Sequence, residues 1–294
     1  MKTLFPLYTI GHFINQPSNP TEFEITRFEN MEEPDVDDIH KHTFYEILWI
    51  EKGTSTQTID YKEYEIKPQS LFFISPNQVH QFEEWQPLSG GSILFTEDFF
   101  LLNNNDKERL FELSFLDNFY ANPCVNLNAF DFSEIKQTID LLTKEHQRND
   151  CNATITQSLL HILLSQVQRC VDGKIDQSIS KKYLIIFKQF KIQLETHFET
   201  NQNVSFYATQ LHITPHHLNV ISKAVTGLKA SEVIRARSIL EAKRFLTFTD
   251  LSVVEIAYQL HFYDSSYFAK AFKAETHQTP LQFKTQISEK YRKR

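Results

Sequence analysis

The sequence predicts an α+β chain of two domains. Residues 1–175 read as a β-barrel of the jelly-roll type with a helical connector, and residues 181–294 as an all-α domain with two helix-turn-helix units. Three observations carry this. Short β-rich runs broken by turn residues fill the N-terminal part, the pattern of a sandwich or barrel. A repeat at a spacing of 49 to 50 residues occupies the C-terminal part. Charge divides the chain at the same place: residues 181–294 hold 17 basic and 9 acidic side chains, net +8, whereas residues 1–180 carry −15. The basic half suits a polyanion and the acidic half does not.

The strand runs are 44–50, 55–61, 70–74 and 92–95. Gly53, Pro68, Pro76-Asn77 and Ser89-Gly90-Gly91 read as the turns between them. A helix over 131–149 follows from Ile135, Ile139 and Leu142, with Ser133 at its start, and a second over 154–171 from Ile155, Leu159, Ile162, Leu163 and Val167. This pair can pack on its own barrel, the simpler reading, or on a second copy to make a homodimer. The polar stretch 172–180 reads as the domain boundary. The three cysteines are scattered and form no CxxC pair, which fits reduced thiols. No apolar run approaches a membrane span, so no membrane partner is expected. Residues 1–13 lack a signal-peptide pattern, and a cytoplasmic location is expected.

His40, His42 and Glu46 lie close in sequence, and His80 follows in Pro76-Asn77-Gln78-Val79-His80. Residues two apart on a strand share a face, so His40, His42 and Glu46 are expected to point one way, with a later strand bringing His80 alongside. Three imidazoles and a carboxylate suit a divalent metal such as Zn, Fe, Mn or Ni. In a barrel mouth they equally suit a small organic effector, or they serve only the barrel's own polar contacts. His40, His42, Glu46 and His80 are therefore the effector-binding candidates, and the metal ligands if an ion is bound. No cofactor is otherwise implied. The spacing His40-x-His42-x3-Glu46-x6-Gly53 resembles the first cupin motif and 76–80 the second, with Glu84 where metal-binding cupins often place Asn. A metal sensor, or a metal-dependent dioxygenase or isomerase fused to the basic helical domain, is the alternative this set supports. No Ser-His-Asp spacing, phosphate-cradling Gly loop or carboxylate pair points to other enzyme chemistry, so no catalytic residue is named.

The repeat sets Ala208-x-x-Leu211-His212-Ile213 against Ala257-x-x-Leu260-His261-Phe262. Each unit reads as a helix, a short turn and a second helix. The first pair spans about 204–212 and 215–225, with Thr214 as N-cap and Pro215 at the first helical position. The second has Ser252 capping 253–260 and Asp264 capping 265–274. Leu218, Ile221, Phe268 and Phe272 are the expected core knobs, and Ala208 and Ala257 suit close helix crossings. A helix over 230–246, apolar on two sides, is expected between the units, and one over 181–198 in front of them.

The stretch 206–283 resembles the DNA-binding domain of the AraC/XylS family of bacterial transcription regulators. The residues that carry it are Arg237-x3-Glu241-Ala242-Lys243-Arg244-Phe245-Leu246, Ser252-Val253-x-Glu255-Ile256-Ala257, Phe262-x-Asp264-x-Ser266-Tyr267-Phe268-x-Lys270-x-Phe272-Lys273 and Thr279-Pro280-x2-Phe283. With the cupin-like N-terminal half, the resemblance covers nearly the whole chain. It implies a sequence-specific regulator, more commonly an activator, whose partners are double-stranded DNA, a small-molecule effector and RNA polymerase. By alignment with the family, the exposed positions of the first recognition helix are His216, His217, Asn219, Val220 and Lys223. Those of the second are Ser265, Ser266, Ala269 and Lys270. A base-modifying repair protein shares this DNA domain by resemblance, but such proteins use reactive cysteines and residues 171–294 contain none. Two positions depart from the family, which usually has Gly where His261 and His277 stand. Gly serves there at positive φ, so lower stability of the second unit is expected, and His261→Gly is expected to raise the melting temperature.

Overall fold

The computed structural model describes residues 7–32, 36, 39–101, 113–116, 122–172, 179–200 and 203–292. The chain forms two compact units, Pro6–Ile175 and one containing Asp176–Arg294. Of the stretch expected to join them, residues 173–178 lie outside the described residues.

In the first unit two five-stranded sheets face each other. One runs β1 (Leu7–Tyr8), β3 (Ile39–His42), β8 (His80–Phe82), β5 (Ser55–Ile59), β6 (Lys62–Ile66). The other runs β10 (Cys124–Asn126), β7 (Ser70–Ile74), β4 (Tyr45–Lys52), β9 (Ser89–Phe95), β2 (Phe23–Arg27). β4 shows why. Its Leu48 and Ile50 pack with Ile59 and Ile66 of the facing sheet. Its Ile47 and Trp49 turn outward, where they meet Ile135, Ile139 and Leu142 of α3 (Ala129–His146) and Leu160, Leu163 and Val167 of α4 (Ala153–Asp172). Buried on both faces, the central strands lose the polar alternation of a one-sided sheet. The helix pair covers the barrel's own outer face, the simpler of the two expected packings. Two short helices, α1 (Ile10–Phe13) and α2 (Glu97–Leu101), complete the α-helices described in this unit, which also holds 3-10 turns at Phe28–Asn30 and Ser114–Leu116.

Two local expectations fail for physical reasons. Ser89-Gly90-Gly91 is strand, not turn. A Cβ on Gly91 would stand 2.4 Å from Trp49 Cη2, so the glycine is there to admit the indole. The start of α3 is set by Asn128, whose side chain accepts from Asp131 N at 2.8 Å, and not by Ser133, which lies inside the helix.

The second unit holds α5 (Lys181–His197), α6 (Val204–Gln210), α7 (Pro215–Thr226), α8 (Ala230–Phe248), α9 (Val253–Gln259), α10 (Ser265–Thr276) and α11 (Pro280–Arg292). The caps are those expected: Thr214 accepts from His217 N, Ser252 from Glu255 N and Asp264 from Tyr267 N. Leu218, Ile221, Phe268 and Phe272 are fully buried, as are Ala208 and, within 2%, Ala257. α11 was not anticipated; its Phe283 sits edge-on to Phe272 at 5.6 Å. α8 runs through the middle and buries charge as well as carbon. Arg237, beneath the Phe198 ring plane at 3.6 Å, donates to Glu195 at 3.0 Å and to Glu241 at 3.1 Å. Burial alone would raise the Glu241 pKa, but Arg244 and Arg237 outweigh it and hold it below the usual value.

Candidate effector pocket and nucleic-acid interface

His40, His42, Glu46 and His80 come together, though not from one strand. The chain bends at Thr43-Phe44, so the two histidines belong to β3 in one sheet and Glu46 to β4 in the other. β8 pairs with β3 in the register His40↔His80, with ring centroids 4.2 Å apart. Glu46 Oε2 lies 3.5 Å from His42 Nε2 and 3.6 Å from His80 Nε2. The ligating atoms of His42, Glu46 and His80 all fall within 4.8 Å of one another, and these three could hold a metal ion. Glu84 is exposed and takes no part in the group; its carbonyl accepts from Ser55 Oγ.

His42 is fully buried and stacked on Phe44 at 3.9 Å. Neither of its ring nitrogens has a hydrogen-bond partner in the protein. His80 Nδ1 lies 3.2 Å from Gln78 O; donating there leaves Nε2 with its lone pair toward Glu46. Burial, then the neighbouring His40 and His42, hold the His80 pKa well below 6.5, so this imidazole is neutral near pH 7.

A cavity of about 200 Å³ opens beside this group. His40, Glu46 and His80 form its polar wall, and Phe28, Leu48, Phe82 and Trp85 an apolar one. Gln57 also lines it, at 1% exposure, with neither amide atom hydrogen-bonded within the protein. A buried polar group left unpaired costs about 1–3 kcal/mol, and a ligand offering both an acceptor and a donor would satisfy it. Sequence reasoning missed Gln57. Its alternation with Ile59 was the available signal, but its place opposite Phe82 depends on the β5–β8 register.

In the second unit the two helix-turn-helix pairs are α6–α7 and α9–α10. His216, Val220, Lys223, Ser266 and Lys270 are exposed, as expected of recognition-helix positions. His217, Asn219, Ser265 and Ala269 are instead half-buried. They flank the buried stripe through Leu218 and Phe268. His217 lies edge-on to Tyr183 of α5 at 5.8 Å, and the Asn219 Oδ1 is buried without a hydrogen-bond partner. Around the second recognition helix Tyr258, Tyr263 and Tyr267 are 83%, 96% and 54% exposed, a set that sequence reasoning passed over. Tyr263 sits in the turn just before the Asp264 cap, which was the sign that it faces outward.

Each unit matches a family model: residues 23–103 the AraC-like ligand binding domain, and residues 207–286 a helix-turn-helix domain. The chain belongs to the AraC/XylS family. As such it is a DNA-binding transcription regulator with a ligand-binding domain. This AraC-family chain is 24% identical over 244 residues to the HTH-type transcriptional activator RhaS of Escherichia coli (strain K12 / DH10B), covering 82% of the chain and 85% of that protein. Its RhaS counterpart from Escherichia coli O1:K1 / APEC is 23% identical over the same span. ToxT from Vibrio cholerae O395, solved with (E)-4-(8-methylnaphthalen-1-yl)but-3-enoic acid, is 15% identical with a TM-score of 0.42, over 91% of this chain and 100% of that one. Among the described residues no helix is long and apolar enough to cross a membrane.

Proposed function

We propose that the protein reads specific DNA sequences and activates transcription under the control of a small molecule taken up in the barrel cavity. The observation that carries the control is Gln57, buried in the cavity wall with its whole amide unpaired. DNA reading falls to His216, His217, Asn219, Val220 and Lys223 on α7 and to Ser265, Ser266, Ala269 and Lys270 on α10. Their side chains project from helices of the kind that enters the major groove. Asn pairs with adenine and Lys with guanine or phosphate, while Val220 and Ala269 suit a thymine methyl. The half-burial of Asn219 makes its base contact depend on the carboxamide turning outward. The effector acts by binding the DNA-competent arrangement more tightly than the other. RNA polymerase is the partner at the promoter, and a second copy of the chain is the partner for a repeated or inverted site.

The test is selection of sheared genomic DNA by the full-length protein at about 150 mM salt, where non-specific phosphate binding is weakened, with Asn219→Ala in parallel. A few promoter fragments should enrich, and the variant should change one element of the shared sequence. Those promoters should then yield more transcript with RNA polymerase when the regulator is added. Enrichment without any common element would overturn the reading, and less transcript would overturn activation.

A further inference from the structure

We infer that the barrel cavity takes a small organic ammonium ion as its effector, held by the Glu46 carboxylate at one end and the Gln57 carboxamide at the other. This assignment rests on the reading of the cavity as the effector site and names the chemical class that fills it.

Charge on the wall decides the class. Glu46 and Glu83 line the cavity, and among the described residues no Lys or Arg does, so a carboxylate or phosphate ligand would find no fixed cation there. Glu46 is 8% exposed. Among the described residues no Lys or Arg pairs with it. His42 and His80 stand 3.5 and 3.6 Å away, outside good hydrogen-bond distance. Buried carboxylates are ordinarily paired. A ligand's ammonium would supply the missing charge through a charge-assisted hydrogen bond. Phe28, Phe82 and Trp85 on the apolar wall offer ring faces, which attract a cation and pack against a hydrocarbon body. The net −15 of residues 1–180 draws cations toward this half of the chain.

Gln57 sets the second pole. It is 1% exposed, and neither amide atom has a hydrogen-bond partner within the protein. In the β5–β8 ladder it lies opposite Phe82, while Ile59 lies opposite His80. Residues two apart on a strand are about 7 Å apart, so Gln57 stands about that far along the sheet from the His80 end, where Glu46 lies. A ligand hydroxyl, able to donate to Oε1 or accept from Nε2, matches that pole. The cavity of about 200 Å³ equals roughly seven water shares of about 30 Å³, which limits the ligand to on the order of ten non-hydrogen atoms.

The probes are tyramine, a cation at about pH 7.5, and two molecules of nearly the same shape. Tyrosol carries a hydroxyl in place of the ammonium, and para-hydroxyphenylacetate a carboxylate. Each is titrated calorimetrically into the full-length protein in EDTA, and tryptophan emission is followed in parallel. Trp85→Phe should remove the emission change, which places the probe in the cavity. One tyramine should bind per chain, about 10-fold tighter than tyrosol, with the carboxylate weakest. Glu46→Gln should erase the preference for tyramine over tyrosol, whereas Gln57→Leu should weaken both and keep it. Melting curves report whether the variants fold; where Glu46→Gln does not, the wild-type ranking of the three probes decides. Tyrosol or the carboxylate binding as tightly as tyramine overturns the ammonium and leaves the cavity as an effector site of another class. No binding of tyramine, binding that appears only when Zn²⁺ replaces EDTA, or a preference undiminished in folded Glu46→Gln also overturns the proposal. Tyramine bound as expected but without influence on the selection of promoter DNA overturns instead the effector reading on which the assignment rests.

Discussion

Replacing His277 with glycine isolates one difference between the two helix-turn-helix units. In the second unit His261 and His277 hold φ of 53° and 61°. The matching residues of the first unit are His212, with φ 54°, and Gly227, with φ 79°. Both units thus carry a strained histidine in the turn, and the imbalance lies at the end of the recognition helix. Left-handed backbone costs an L-residue about 1–2 kcal/mol, toward the lower end for His, which visits that region more readily than most. Glycine gives back about 0.5–1 kcal/mol through the greater freedom of its unfolded chain. His277→Gly should therefore stabilise by about 0.5 kcal/mol, which for a domain of this size is a rise of about 2–4 °C. At His261 the ring Nδ1 lies 3.1 Å from Gln259 O. Losing that exposed contact cancels part of the gain, so His261→Gly should raise the transition by less. Thermal unfolding of the full-length protein, followed by the helical circular-dichroism signal, measures both. A lower transition for His277→Gly, or a larger rise at 261 than at 277, would refute the reasoning.

Three further outcomes are expected. Gly91→Ala would place a methyl 2.4 Å from Trp49 Cη2 and 2.3 Å from Thr26 O; it should lower barrel stability by about 1–3 kcal/mol, and an unchanged urea midpoint counts against the packing described. His80 titrates lower in the folded barrel than in the unfolded chain, so the unfolded state takes up the proton first. Metal-free protein should hold its full stability above about pH 6.5 and lose it as pH falls below that, by at most about 1.4 kcal/mol per pH unit. His80→Gln should flatten that slope in urea titrations, and an unaltered slope contradicts the assignment. Lys223→Ala and Lys270→Ala should each reduce the salt dependence of DNA binding by about one phosphate contact; salt titrations unaffected by both would remove these helices from the interface.

The helical unit was legible because its signals are local. Thr214-Pro215 and Asp264 announce their helices by side-chain capping, and the repeat aligns the core positions Leu218 and Phe268 without knowledge of the fold. Even the two departures from glycine announced left-handed backbone. The barrel was legible in strand content but not in register. Nothing near Phe44 in sequence reveals that the chain leaves one sheet for the other there, so the His–Glu group was expected from one face and is built from two. Gly90 and Gly91 read as a turn because their role is to yield space to Trp49, 41 and 42 positions away. Gln57 and the half-burial of Asn219 depend on tertiary neighbours and leave no local trace.

One chain is proposed to read two adjacent segments of DNA, with α7 and α10. Hydroxyl-radical and major-groove methylation footprinting of the full-length protein on a selected promoter tests it most directly. Two protected segments per chain are expected, about one helical turn, roughly 10 base pairs, apart. Lys223→Ala should weaken protection at one segment and Lys270→Ala at the other. A single protected segment, or two that respond alike to both substitutions, would contradict it.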